Sequence, residues 1–263
     1  MRDKYLWITD PHIKPWGRRK IINLIHDDKP KGIFLTGDIS YGPTLVGDLD
    51  HLGRKAGRPI YFVLGNHDYH GSTIATTHNK VRLLCKKHKN LIWMTDAGIE
   101  PLNEEVALIG TEGWYDARVG FEPFLTFTFD WWMTKDFRQL PSMKDRIEAF
   151  RVLAQESADK IVPILEKALE SYKTIYLLTH YPPWKEANRA EGTMMEQFWL
   201  PYNVNYALGV ALEKVMQNYK KRNLIVLCGH THTSTQIHAA RNIECRVGKA
   251  GYFRSTVDET IFI

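Results

Sequence analysis

Five short apolar runs, each closing on residues with oxygen or nitrogen donors, constrain this chain more than any other feature. They are residues 5–9 into Asp10-Pro-His12, 32–36 into Gly37-Asp38, 60–64 into Gly65-Asn66-His67-Asp68, 174–179 into His180, and 224–228 into Gly229-His230-Thr-His232. A short apolar run bounded by turn residues reads as a buried strand, and ligands of an open α/β sheet collect beyond the carboxyl ends of its strands. One Gly-Asp turn or one Asn-His-Asp triplet would be ordinary turn chemistry. Five in succession place their donors at one edge of a sheet.

Between these runs, helical patterns are expected near 17–28, 44–56 and 73–88, with further strands near 90–94 and 105–110. Such alternation makes βαβ crossovers and a mostly parallel sheet. Past residue 223 the pattern changes to short strands near 235–239, 242–247 and 258–263, which read as a second, more antiparallel sheet. The expected architecture is therefore α/β, two stacked sheets with helices outside. At 263 residues and 44% hydrophobic the chain suits one domain, 1–263. An insertion at about 111–172 interrupts it. Residues 114–137 hold nine aromatics in twenty-four positions against a 12% average, and loose alternation from Phe121 to Phe129 suggests a strand or hairpin. Residues 143–171 read as two helices or one bent near Pro163. Exposed aromatics such as Trp131 and Trp132 would make this insertion a cap beside the donor edge, against the plainer reading that they bury the helical part.

The remaining composition narrows the functional classes. Three cysteines, Cys85, Cys228 and Cys245, form no C-x-x-C pair and suggest neither a disulfide framework nor a thiolate metal site. With no stretch near the roughly 18 apolar residues of a membrane span, and a first strand too early to leave room for a signal peptide, a cytoplasmic protein is expected. A net charge of +5 favours anionic substrates mildly. The clusters Arg18-Arg-Lys20, Lys86-Lys87 with Lys89, and Lys220-Lys-Arg222 read as solvated helix faces and helix ends rather than a nucleic-acid groove.

Asp10, His12, Asp38, Asn66, His180, His230 and His232 contain no sulfur, which suits Mn, Fe or Zn. Seven donors exceed what one tetrahedral ion with an open position needs, so two ions are expected, and Asp38, in the middle of the ligand order, is the expected bridge. Two dications less Asp10, Asp38 and one bridging hydroxide leave a charge of roughly +1, which attracts phosphate. An ion pair roughly 3.5–4 Å apart activates water and clamps a phosphoryl group for in-line displacement. His67, next to Asn66, is placed to protonate the leaving oxygen as general acid, with Asp68 as the partner holding its tautomer. His51, His70, His78 and His238 are left as ordinary core or turn histidines.

The order Asp10-x-His12, Gly37-Asp38, Gly65-Asn66-His67-Asp68, Thr179-His180, Gly229-His230-x-His232 resembles the calcineurin-like metallophosphoesterase superfamily across residues 5–232. The resemblance implies a four-layered αββα sandwich, two mixed β-sheets flanked by helices. It implies one ion on Asp10, His12, Asp38 and His232 and the other on Asp38, Asn66, His180 and His230, with manganese expected first and Fe or Zn as alternatives. His67 is then the acid and a metal-bound hydroxide the nucleophile. After Gly37-Asp38 the chain continues Ile39-Ser-Tyr41, without the Asp-Arg-Gly of the protein serine/threonine phosphatases, which speaks against phosphoprotein substrates.

The substrate expected is a small phosphoester or nucleotide, monoester or diester, since an aromatic-rich insertion can stack a base or wall off a pocket. Asn66, Arg118 and Tyr115 are its candidate contacts, the last two because they follow the strand ending at Gly110 and Arg forks match phosphate oxygens; Tyr181 is a further candidate. A nuclease on the same metal site would need a basic groove leading to it. A catalytically silent scaffold is the third reading, opposed by the intact donor set.

Overall fold

The computed structural model describes residues 2–14, 17–188, 194–250 and 257–263. In chain order its first half runs β1 (Lys4–Ile8), α1 (Gly17–Asp28), β2 (Gly32–Thr36), α2 (Gly42–Lys55), β3 (Ile60–Val63), α3 (Ile74–Lys87), β4 (Leu91–Trp93), α4 (Met94–Ala97), β5 (Glu100–Pro101) and β6 (Val106–Gly110). The second half runs α5 (Asp130–Met133), α6 (Lys135–Arg138), α7 (Met143–Ser171), β7 (Thr174–Leu178), α8 (Met194–Trp199), α9 (Tyr206–Met216), β8 (Asn223–Cys228), β9 (Thr235–Ala240), β10 (Ile243–Val247) and β11 (Glu259–Phe262).

The strands form two mixed sheets, ordered β11-β1-β2-β3-β4 and β5-β6-β7-β8-β10-β9. Because side chains alternate along a strand, each sheet has two faces to bury, and three apolar clusters meet that demand. Tyr5, Trp7, Phe34 and Tyr61 of the first sheet meet Leu108, Tyr176, Leu178 and Leu227 of the second, filling the space between them. On the outer face of the first sheet, Ile8, Leu35 and Phe62 pack on Ile21, Leu49 and Val81 of α1, α2 and α3. On the outer face of the second, Ile109, Leu177 and Val226 pack on Ile161, Leu165 and Leu208 of α7 and α9. Helices, sheet, sheet and helices make the four layers expected.

Two local expectations change, and a third narrows to one of its alternatives. The last strands do not make an antiparallel sheet of their own: β6, β7, β8 and β10 are parallel, β9 alone is antiparallel to β10, and β11 crosses to pair with β1. Burial explains the order, since β10 hides Ile243, Cys245 and Val247 and takes the inner position, while the more polar β9 stays at the edge. Residues 143–171 form one helix that contains Pro163, capped at its start by Ser142; apolar residues on both sides of the proline, Ala158, Ile161 and Leu165, share one core. From 121 to 129 there is no strand, only a 3-10 turn at Pro123–Leu125. No helix among the described residues is long and apolar enough to cross a membrane.

Candidate metal centre

The seven donors sit just past the carboxyl ends of β1, β2, β3, β7 and β8. Five of them, Asp10, His12, Asp38, His230 and His232, hold left-handed backbone, with φ of 44°, 39°, 46°, 69° and 58°. Asp and His are among the few non-glycine residues that visit this region readily, yet five together store strain that the surroundings must hold. Cross-loop hydrogen bonds hold it: Asp10 N to Gly37 O, His12 N to Asp38 O and Gly229 N to His180 O. The flanking glycines are required by close approach, since a Cβ on Gly37 would overlap the His180 ring and one on Gly229 the Asp10 carboxylate.

Two donor groups share Asp38. Asp10, His12, Asp38 and His232 each offer an atom within 4.8 Å of the others; His232 Nε2 lies 3.3 Å from both His12 Nε2 and Asp10 Oδ1. His12 Nε2 stands 3.8 Å from Asp38 Oδ2. The other oxygen of Asp38 faces the second group, 3.5 Å from His180 Nε2, which is 3.1 Å from Asn66 Oδ1 and 3.3 Å from His230 Nδ1. Donors bound at about 2.0–2.2 Å to one ion stand about 3.0–3.6 Å from each other by simple geometry.

The hydrogen bonds behind the second group test whether a cation fits. His180 Nδ1 donates to Thr36 O at 2.9 Å, which leaves Nε2 as a lone pair. His230 Nε2 donates to Tyr202 O at 3.0 Å, which leaves Nδ1 as a lone pair. Asn66 Nδ2 donates to Asp130 Oδ1 at 3.0 Å, which turns the amide oxygen inward. Three lone pairs, from His180, His230 and Asn66, therefore converge on one oxygen of Asp38, with the imidazole and amide protons turned away from them. One proton on Asp38 could serve only one of the three lone pairs, whereas a cation would serve all of them.

Electrostatics agree with a ligand role. Burial pushes Asp10 up, but the hydrogen bond to His232 and the imidazoles of His180 and His12 outweigh it and hold its carboxyl below the usual range. Asp38 is pushed well above that range by burial, then by the charges of Asp10 and Asp68. Burial first of all lowers His12 to about 4 and His230 to about 3, and lowers His180 as well. The rings are therefore neutral, the form that ligates.

His67 stands beside the donors with its Nε2 3.8 Å from Asp38 Oδ2, its backbone N–H donating to Asp38 Oδ1 at 2.9 Å. Asp68 does not serve it as partner. Both Asp68 oxygens accept backbone N–H groups, from Gly65 at 2.9 Å, Ser40 at 2.8 Å and Ile39 at 3.2 Å, so this carboxylate ties the turn after β3 to the turn after β2. What lies against His67 instead is His70, ring centroids 4.6 Å apart, paired through Nε2 to Asp130 Oδ1 at 2.7 Å. His70 is thus part of the site and not an ordinary turn histidine.

Asp130, just after Thr126-Phe-Thr-Phe129, is the residue the sequence reading missed. Its buried carboxylate accepts from Asn66, His70, Tyr115 Oη at 3.1 Å and Thr128 Oγ1 at 3.2 Å. The signal available was a carboxylate amid aromatics, which once buried must find partners. Tyr115 therefore supports Asp130 from inside the core and does not face the cleft, and Arg118 is bound to Asp116 at 2.9 Å. Neither lines the cleft above the donors. Tyr181 is buried behind His230, ring centroids 4.3 Å apart. Trp131 is buried and Trp132 exposed, so the two do not act alike.

Above the donors opens a cleft of about 400 Å³ lined by His67, His70, Asp130, Tyr41, Phe129, Met133, Trp199, Tyr202 and Asn203 among others. Residues 4–234, which carry all five strand ends, match the family described as calcineurin-like phosphoesterase. Among solved structures, a phosphopantetheinyl hydrolase from Mycobacterium tuberculosis superposes with a TM-score of 0.69 at 12% identity, covering 100% of this chain and 96% of that one. A dimetal phosphatase from Danio rerio gives 0.58 at 11% identity, covering 94% and 87%. TT1561 of Thermus thermophilus gives 0.53 at 14%, covering 95% and 90%. At such identities the likeness is one of fold. No curated protein matches by sequence.

Proposed function

The chain belongs to the calcineurin-like phosphoesterase family, and from that premise we propose that it hydrolyses a small phosphoester or nucleotide with two divalent cations. The observation that carries this reading is the pair of donor groups sharing Asp38, the second turning the lone pairs of His180, His230 and Asn66 toward that carboxyl. Asp10, His12, Asp38 and His232 would hold one ion, and Asp38, Asn66, His180 and His230 the other. Oxygen and nitrogen donors favour manganese, with iron or zinc as the alternatives. When bound, such a pair supplies Lewis acidity that activates water and neutralises the phosphoryl oxygens.

The chain's own residues supply orientation and the proton. Thr36 O and Tyr202 O fix the tautomers of His180 and His230, and Asp130 fixes the face of Asn66, so the donors are set before substrate arrives. His67 reaches the cleft and donates the N–H at Nε2 toward the leaving oxygen. Burial, then the neighbouring His12 and His70, lowers its imidazole to about 3; the ring is neutral in the free protein, and the negative charge of a bound phosphoester favours its protonation.

A nuclease is the second reading, and it is weaker: none of the described residues lining the cleft is Lys or Arg. A silent scaffold would have no physical need for converging lone pairs. The free thiols of Cys85, Cys228 and Cys245 support a cytoplasmic setting. The test is a panel of phosphomonoesters, phosphodiesters, nucleotides and single-stranded DNA with added manganese, alongside elemental analysis. Turnover of small esters with two ions per chain is expected; an inert protein binding no metal would overturn the reading.

A further inference from the structure

Between Thr126 and Asp130 the usual sense of burial is inverted. Thr126, Thr128 and Asp130 point inward at 3%, 8% and 2% exposure, while Phe127 and Phe129 stand outward at 46% and 67%. Of the twelve large hydrophobic side chains exposed among the described residues, six lie between positions 121 and 132, a concentration that marks a contact surface rather than scatter. The outward rings are also organised. Phe127 meets Phe129 edge-on at 5.8 Å and Trp199 at 5.9 Å, and Phe129 and Trp199 line the same cleft as His67.

We propose that this wall binds a flat, uncharged ring system on the alcohol side of the phosphoester, and so sets which esters the site accepts. The proposal rests on the phosphoesterase reading. Continuity with the cleft gives the occupant: a phosphoryl group over the donors directs its ester substituent toward whatever else lines the opening. Two features select the substituent's chemistry. Lys and Arg are absent from the described lining, so additional phosphates gain no partner there. Of the polar lining residues, Asn203 and Thr128 are engaged with His230 and Asp130, which leaves the Tyr41 hydroxyl and His70 Nδ1 as the groups that could read a hydrogen-bonding edge. The rings of Phe129, Trp199 and Tyr41 dominate what remains open, which favours stacked or edge-on ring contacts.

The test compares methyl phosphate with 2-naphthylmethyl phosphate, esters of primary alcohols similar in acidity, on the manganese-loaded protein, with a nucleoside monophosphate and triphosphate as further arms. The naphthylmethyl ester is expected to have kcat/KM at least about tenfold above the methyl ester, and the triphosphate no advantage over the monophosphate. In Phe129→Ala the ratio of the two ester efficiencies should fall about tenfold. In Phe124→Ala, an equally exposed ring outside the cleft lining, the ratio should stay unchanged. Equal efficiencies on both esters in the wild type, or a Phe129→Ala loss shared equally by both, would overturn the wall while leaving the phosphoesterase intact. If neither ester turns over while phosphodiesters also stay intact, the hydrolase reading fails instead. Calorimetric binding of the two esters then decides the wall alone: tighter naphthylmethyl binding that Phe129→Ala abolishes supports it, and equal binding removes it.

Discussion

The strand ends and the β6–β7 connection meet at one cleft, but they put polarity in opposite places. At the strand ends, apolar residues fill β1, β2, β3, β7 and β8 and the donors appear where each strand stops. In the connection, threonines and an aspartate are buried and the aromatics face out. A buried carboxylate without compensation costs several kcal/mol, and the two regions compensate differently. Asp10 and Asp38 sit among imidazoles in the two candidate donor groups, whereas Asp130 is satisfied by four donors from the chain itself. One region gathers the candidate ligands; the other supports Asn66 and His70 from behind and presents rings outward.

If Asp38 joins both donor groups, its loss should exceed any change in the connection. Asp38→Asn is expected to lose both ions, with an activity loss beyond the about 10- to 100-fold typical of removing a ligand's supporting partner. Its melting temperature should no longer respond to a chelator, whereas the wild type melts earlier on chelation because bound ions stabilise only the folded state. Two tightly held ions in the variant, by elemental analysis, would remove Asp38 from the bridge. Next in size is His67→Ala. It should keep both ions and lose about 10²- to 10⁴-fold on esters with poor leaving groups, with a smaller loss for p-nitrophenolate, which departs without a proton. A uniform loss across leaving groups would strip His67 of its acid role.

The same contrast explains what was legible before any coordinates. Strand-end donors could be found because burial and chemistry coincide there: an apolar run announces the strand, and Asp, Asn or His follows at once. The strands themselves were placed within about a residue or two for the same reason. Their assignment to sheets was less legible, since a local pattern such as Glu259–Phe262 marks a strand without saying that it pairs with Lys4–Ile8 far away in the chain. In the connection the loose alternation of residues 121–129 was visible, but its sense was not. Periodicity gives which residues share a face and leaves open which face is buried. Asp130 was missed on that account, and His70 with it, because its partner Asp130 lies sixty residues away in the chain; Tyr115 and Arg118, chosen for nearness in sequence to Gly110, turned out to serve Asp130 and Asp116.

Asp130→Ala sharpens the comparison from the connection's side. Losing the acceptor frees the Asn66 amide to turn, so affinity for the ion at Asn66, His180 and His230 should fall about 10- to 100-fold, while the ion at Asp10, His12 and His232 stays. The expected readout is one ion per chain at limiting metal, in a variant whose circular dichroism remains that of the wild type. Loss of both ions together, or of neither, would show that Asp130 does not act through Asn66.

The smallest effects separate two adjacent tryptophans. Trp131 is 3% exposed and shares the core with Phe137, Phe150 and Tyr202, so Trp131→Ala should destabilise by about 3–5 kcal/mol and depress every activity in parallel. Trp132 is 56% exposed, and among the described residues its ring meets Arg146, whose guanidinium carbon lies 5.1 Å from it. An exposed cation–π pair is worth about 0.5–1 kcal/mol, so Trp132→Ala should shift the denaturation midpoint by little more than that. Trp132 is also absent from the cleft lining. The discrimination between aromatic and small esters should therefore survive its removal, in contrast to Phe129→Ala. A collapse of that discrimination in Trp132→Ala, with stability preserved, would mean that the ring-binding surface reaches past Phe129 onto α5 and would extend the outward-facing region by a full helical turn.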